Sequence, residues 1–185
     1  MSKHCMFAVV GVICLFLMGT ISQAIPVKAT MSSIVGDVQI MPPGGSWQPA
    51  TEGGMIENGT EIKTGAKSSC VLRWSSQNTM KLTPFTQFTV KSIDIDPRTK
   101  TVKSDLDMFA GKVKLRAEKL QNPNSRFEVT TPSAVAGVRG TTGDVEQGAD
   151  EASIITRDGM IECRGIDGAV YLIGPGEQCI VDKDG

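Results

Sequence analysis

A chain of 185 residues with 40% hydrophobic side chains is long enough to enclose one core of ordinary size. Its formal net charge of −1 excludes the overall basic field that draws a domain to nucleic acid, and no acidic tail is present. Twenty glycines and nine prolines are too many for a helical protein and ordinary for a turn-rich β protein.

The chain opens with Lys3 and His4, followed by the apolar run Met6 to Met18 and the small residues Ser22-Gln23-Ala24. That order predicts a secretory signal peptide over residues 1–24, cleaved before Ile25, and a periplasmic or secreted mature protein. The apolar run of 13 residues is short of the ~20 that span a bilayer, which disfavours the alternative of a retained anchor. Val27-Lys28-Ala29 is a second cleavage candidate, and Ile13 ahead of Cys14 does not fit a lipoprotein signal. Membrane contact is therefore expected only through the transient signal segment. Removal of residues 1–24 takes away His4, the sole histidine, and leaves Cys70, Cys163 and Cys179.

The mature chain reads as short β pulses between Gly, Pro, Asn and Asp turns. Ser32 to Met41 alternates around Gly36 and ends at Pro42-Pro43-Gly44-Gly45; Trp47 follows, then turns at Gly53-Gly54 and Asn58-Gly59. Glu61 to Gly65, Cys70 to Trp74 and Thr79 to Leu82 are short strand candidates, and Thr86 to Ile95 alternates after Pro84. A turn at Asp96 to Thr99 leads to Thr101–Ser104 and then to a longer pulse, Leu106 to Leu115, across Gly111. Arg116 to Asn124 is polar enough for one helical turn. The last pulses are Arg126–Thr131, Thr141–Glu146, Ala152–Arg157, Met160–Arg164, Ala169–Ile173 and Gln178–Asp182, with a turn expected at Arg157-Asp158-Gly159. The prediction is a single all-β domain over residues 30–182, built of short strands in a rolled or solenoid-like coil or in a β-sandwich.

Two features stand out along that path. One is a recurring local pattern of glycine, any residue, β-branched residue, any residue, apolar residue. It occurs at Gly36, Gly111, Gly159 and Gly168, at irregular spacing, so it is not a strict repeat array. The other is Thr130 to Glu146, where Pro132, Gly137, Arg139, Gly140 and Thr141 predict a tight strand crossing with one long cation at its centre. Arg139 has two readings there. It could hold an anion among glycine-exposed amides, or it could tie loop carbonyls together and pair with Asp144 or Glu146; the second is preferred.

Few residues offer chemistry. A mature chain without histidine has no Ser-His or Cys-His pair and no histidine metal ligand, so no catalytic, metal or cofactor residues are predicted. The carboxylate pairs Asp94/Asp96 and Asp105/Asp107 sit in a polar turn region and read as solvated surface. In an oxidising compartment two of the three cysteines can pair, and Cys163 with Cys179, 16 residues apart, is the preferred disulfide, leaving Cys70 odd; the alternative is three buried thiols, each sharing a strand face with an apolar neighbour. Trp74 reads as core by parity, and Trp47 as a possible exposed binding aromatic.

Taken in order, Gly36-Asp37-Val38, Trp47, Asn58 to Gly65, Thr83-Pro84-Phe85-Thr86, Gly111-Lys112-Val113, Thr131-Pro132 through Arg139-Gly140-Thr141, Gly159-Met160-Ile161 and Gly174 to Glu177 resemble a FecR-type domain over about residues 30–181. The resemblance implies an all-β module outside the cytoplasm. In the best-known members it follows a transmembrane helix and a cytoplasmic anti-sigma segment, and senses an outer-membrane iron-siderophore receptor by protein contact. With only five residues before its apolar run, this chain is expected to lack that anti-sigma segment. The expectation is thus a non-enzymatic binding or sensing module for an envelope protein or extracellular polymer, with no nucleic-acid partner. A structural component of an envelope assembly is the second expectation, and a carboxylate-based polysaccharide-active enzyme the third.

Overall fold

The computed structural model describes residues 25–26, 29–74, 78–119 and 122–184; the predicted signal peptide, residues 1–24, lies outside the described residues. In chain order the strands are β1 (Ile25–Pro26), β2 (Ala29–Val35), β3 (Val38–Met41), β4 (Gln48–Pro49), β5 (Met55–Ile56), β6 (Thr60–Thr64), β7 (Ser69–Arg73), β8 (Thr79–Leu82), β9 (Gln87–Asp96), β10 (Thr101–Arg116), β11 (Arg126–Thr130), β12 (Ala134–Gln147), β13 (Glu151–Gly165), β14 (Val170–Ile173) and β15 (Gln178–Asp182). Among the described residues there is no helix, and all these strands join one mixed sheet that does not close. β10 and β11 pair in parallel, and their other neighbours pair antiparallel.

The sheet is in two halves because three long strands change partners midway. Residues 101–110 of β10 lie between β9 and β11, while residues 111–116 lie between β8 and β12. Residues 134–139 of β12 pair with β13, and the first of them with β11; residues 142–147 lie between β10 and the start of β13. β13 in turn pairs with β15 over residues 151–155 and with β14 over residues 161–164. One half therefore runs β4-β3-β6-β9-β10-β11-β12-β13-β14, and the other β5-β2-β7-β8-β10-β12-β13-β15.

The two halves face each other across one core. Alternation along the strands places Val38, Ile62, Phe88, Leu106, Phe127 and Val129 inward from the first half, and Met31, Leu72, Met80, Leu82, Val113 and Ile154 inward from the second. Trp74, after β7, meets Phe127 of β11 edge to face with ring centroids 5.5 Å apart. The arrangement rolls one sheet over on itself instead of stacking separate hairpins.

Glycine explains the bends. Gly111 and Gly159 have φ of +93° and +83°, and each marks a change of partner strand. A Cβ on Gly111 would lie 2.5 Å from Thr86 Cα, and one on Gly159 would lie 2.5 Å from the Gly140 carbonyl oxygen. Both the dihedral and the space admit glycine alone. The turn expected at Arg157 to Gly159 is accordingly a bend inside one strand, because β12 keeps pairing with β13 on both sides of it. Thr101–Ser104 and Leu106–Leu115 are likewise one strand, and the described part of residues 116–124 forms no helical turn.

Candidate functional site: a charged groove over β12

The connection between β11 and β12 is a tight hairpin held by one hydroxyl. Thr131 Oγ1 accepts from the backbone N–H groups of Ser133 (3.3 Å) and Ala134 (3.0 Å) and donates to the Ala134 carbonyl (2.9 Å). Thr131 N–H also reaches the Ala134 carbonyl at 2.8 Å. Pro132 sits exposed in this turn, where its fixed φ suits the geometry and its missing N–H loses nothing.

From there β12 turns Ala134, Ala136 and Val138 into the core and Gly137 and Arg139 outward. Gly137 lies in register with Glu128 of β11 and Glu162 of β13. Lacking a side chain, it leaves a low strip between those two acids, and Arg164 reaches both, at 3.9 Å to Glu128 and 2.6 Å to Glu162. Glu128 also meets Arg126 Nε at 3.3 Å, and Arg126 Nη2 donates to both oxygens of Asp105, at 2.8 and 2.9 Å. A chain of alternating charges thus crosses the outer face from β10 to β13.

Arg139 stands apart from that chain. It is exposed, lies opposite Met160 of β13, and its guanidinium forms no hydrogen bond or ion pair among the described residues. The structure corrects the expectation that it pins the crossing or pairs with Asp144 or Glu146. The bend is held instead by Thr141, whose hydroxyl donates to the Met160 carbonyl at 2.7 Å and whose carbonyl accepts from Ala117 N–H at 2.9 Å. Gly140, with φ of +64°, lies against the stem of Lys119.

Asp144, only 2% exposed, has Arg157 as its partner, at 2.6 Å between Oδ2 and Nη2, with Lys112 at 3.9 Å. Burial pushes the Asp144 carboxyl up, but the Arg157 hydrogen bond and charge, with Lys112 and Lys114, outweigh it and hold the group below its ordinary value. A carboxyl depressed in the folded state stabilises above its unfolded pKa of about 3.9 and loses that contribution as the pH falls through the folded value. Asp144→Asn is expected to unfold at lower denaturant than wild type at pH 7. The gap should narrow as the pH falls below about 4, as read by urea titration across pH. A gap that stays constant with pH would remove the ion pair from the account.

Lys119, Arg126, Glu128, Gly137, Arg139 and Arg164 line an open groove of about 1020 Å³, whose far wall is Met160 and Leu172. Of its acids, Glu128 and Glu162 are matched by Arg126 and Arg164, while Asp158 and Arg139, which also line it, form no ion pair among the described residues. Leu172 is 63% exposed and Met160 49%, so apolar surface stands in the same groove as Arg139.

The other singled-out residues lie elsewhere. Trp47 is partly exposed, but its ring is covered by the Lys63 ammonium at 4.1 Å from the centroid. Cys163 and Cys179 form a disulfide with Cα atoms 6.6 Å apart, which ties β13 of the first half to β15 of the second. Cys70 is buried, and burial pushes its thiol up to about 12, so it is an inert core residue. Asp105 serves Arg126, Asp107 meets Lys91 at 3.6 Å, and Asp96 accepts from the Arg98 and Thr99 N–H groups in its turn.

Sequence reasoning missed Arg157, Arg164, Met160 and Leu172. Arg157, Met160 and Arg164 were visible as outward positions of strand candidates, but the glycine pattern at Gly168 put Val170 and Leu172 on a buried face, whereas β14 ends the sheet and leaves both exposed. Comparison with known proteins gives one family match: the model described as FecR protein fits residues 60–162, more than half of the chain. Nothing among curated proteins matches. Among solved structures, two crystal structures of a proposed anti-sigma factor from Parabacteroides distasonis, at 1.65 and 2.50 Å resolution, are similar. They share 19% and 18% identity with TM-scores of 0.53 and 0.52, and the match covers 66% of this chain. The chain spans 55% of the length of those relatives, and at this identity the likeness concerns the fold.

Proposed function

Because this chain belongs to the FecR protein family, we propose that it is a non-enzymatic sensing module of the cell envelope that binds a protein partner through the groove over β12. The observation that carries this reading is Arg139: an exposed cation without an ion pair among the described residues, opposite exposed Met160 and in one groove with exposed Leu172. Unmatched charge next to unmatched apolar surface fits a segment carrying a carboxylate and a large side chain, not a uniform polymer. The N-terminal pattern supports a periplasmic or secreted location.

A photo-crosslinking residue at position 160 tests this in the native envelope. Capture of one dominant protein is expected, reduced at least about tenfold by Arg139→Glu with no change in melting temperature, since no fold contact is lost. Loss of stability in Arg139→Glu, or capture unchanged by it, sinks the reading.

A second reading, assembly through strand edges, rests on β14. This terminal strand of the sheet leaves Val170, Tyr171 and Leu172 exposed. If it holds, the purified protein sediments as an oligomer and Tyr171→Lys returns it to monomer.

A further inference from the structure

The outer face of the second half-sheet carries a charge that the net value of −1 conceals. β7, β8 and the end of β10 bury Cys70, Leu72, Met80, Leu82, Val113 and Leu115, and so turn Arg73, Lys81, Lys114 and Arg116 outward. Lys81 and Lys114 are directly opposite in register, a like-charge pair that works against the sheet. Lys67 joins them in a shallow concavity with Thr83 and Pro84. All five cations are exposed and none forms an ion pair among the described residues. The acids beside this face on β12 are already engaged, Asp144 by Arg157 and Glu146 by Lys112 at 3.0 Å.

At one end of this face stands Phe85, 68% exposed and held at φ of +59°. A bulky side chain rarely adopts that conformation, and here the turn imposes it. Thr86 N–H donates to Thr64 Oγ1 (2.9 Å), Thr64 Oγ1 to the Thr83 carbonyl (2.6 Å), and Thr83 Oγ1 to the Lys112 carbonyl (2.9 Å). Lys67, at φ of +52°, is strained in the same way. Phe109, also exposed, sits at the β10 bulge two residues before Gly111, whose Cβ position abuts the Phe85 carbonyl. The Phe85 ring thus stays mostly exposed on a strained backbone.

We propose that this face docks on an anionic lipid surface, with Lys67, Lys81, Lys114 and their arginine neighbours facing the headgroups and Phe85 entering the boundary beneath them. Unpaired cations spread over a face need no shaped complement, and an aromatic projecting from a corner suits an interface better than a pocket. The face is on the half-sheet opposite the β12 groove, so docking would leave that groove directed away from the membrane. The inference does not depend on the groove having a partner.

The test is sedimentation of the purified protein with vesicles of phosphatidylcholine alone or with about 30% phosphatidylglycerol. Binding is expected to the anionic vesicles only and to disappear near ~0.5 M salt. Lys81→Glu with Lys114→Glu should weaken it at least about tenfold. Phe85→Asn relieves the strained φ, so it should weaken binding while melting at the same temperature or higher. Arg139→Glu should bind vesicles as wild type does, which separates this face from the groove. Equal binding to neutral vesicles, or wild-type binding by the double lysine variant, overturns the proposal. Retention of polyglutamate with no vesicle binding would assign the face to an acidic protein segment and overturn it too.

Discussion

Gly111→Ala and Gly159→Ala are each expected to cost about 3 kcal/mol or more, against about 1 kcal/mol for Gly168→Ala. The three glycines share the same local sequence pattern and similar positive φ values of +93°, +83° and +86°. What differs is space. A methyl group at 111 meets Thr86 Cα, and one at 159 meets the Gly140 carbonyl, both backbone and both at 2.5 Å, while one at 168 meets nothing within 4 Å. Backbone in the middle of a paired sheet cannot step aside as the end of a flexible side chain can. Urea unfolding should show the midpoint falling at constant slope, and melting temperature should drop by roughly 6–12 °C for the two bend glycines. Equal losses at all three positions would mean that dihedral strain alone matters and that the bends are not tightly packed.

Breaking the disulfide is expected to cost about 3 kcal/mol, the loop-closure value for a link spanning some 15 residues. Cys163→Ala with Cys179→Ala should show it in urea titration, and reducing agent should do the same to wild type. The link joins the first-half end of β13 to β15 in the second half, and β15 otherwise rests on its pairing with the start of β13. Hydrogen exchange should therefore rise first in β15 and in residues 151–155 of β13. The buried Cys70 gives no route to a mispaired bond, so the reduced protein should reoxidise to one product. Unchanged stability under reduction would show that β15 is held by its hydrogen bonds.

The strands themselves were legible because alternation depends on two neighbours along the chain. Phe127 and Val129, Met80 and Leu82, and Val113 and Leu115 are buried as their parity requires. The glycine pattern was visible too, but its meaning was not. A glycine before a β pulse reads equally as a hairpin turn or a bend, and only continued pairing across Gly159 makes it a bend. Arg139 was misplaced for a related reason. Small, apolar neighbours in sequence suggested a buried cation, yet Ala136 and Val138 point inward and Arg139 points out.

Local sequence therefore determined the β class, the strand positions, the corner glycines and the family resemblance, since each depends on residue type within a few positions. Pairing between distant strands decided the rest. It gave Asp144 the partner Arg157 and not Arg139, and gathered Lys67, Lys81 and Lys114 onto one face. It also set Arg139 in one groove with Met160 and Leu172. Charge and contact between residues far apart in the chain exist only once the sheet has rolled over, and both proposed surfaces are of that kind.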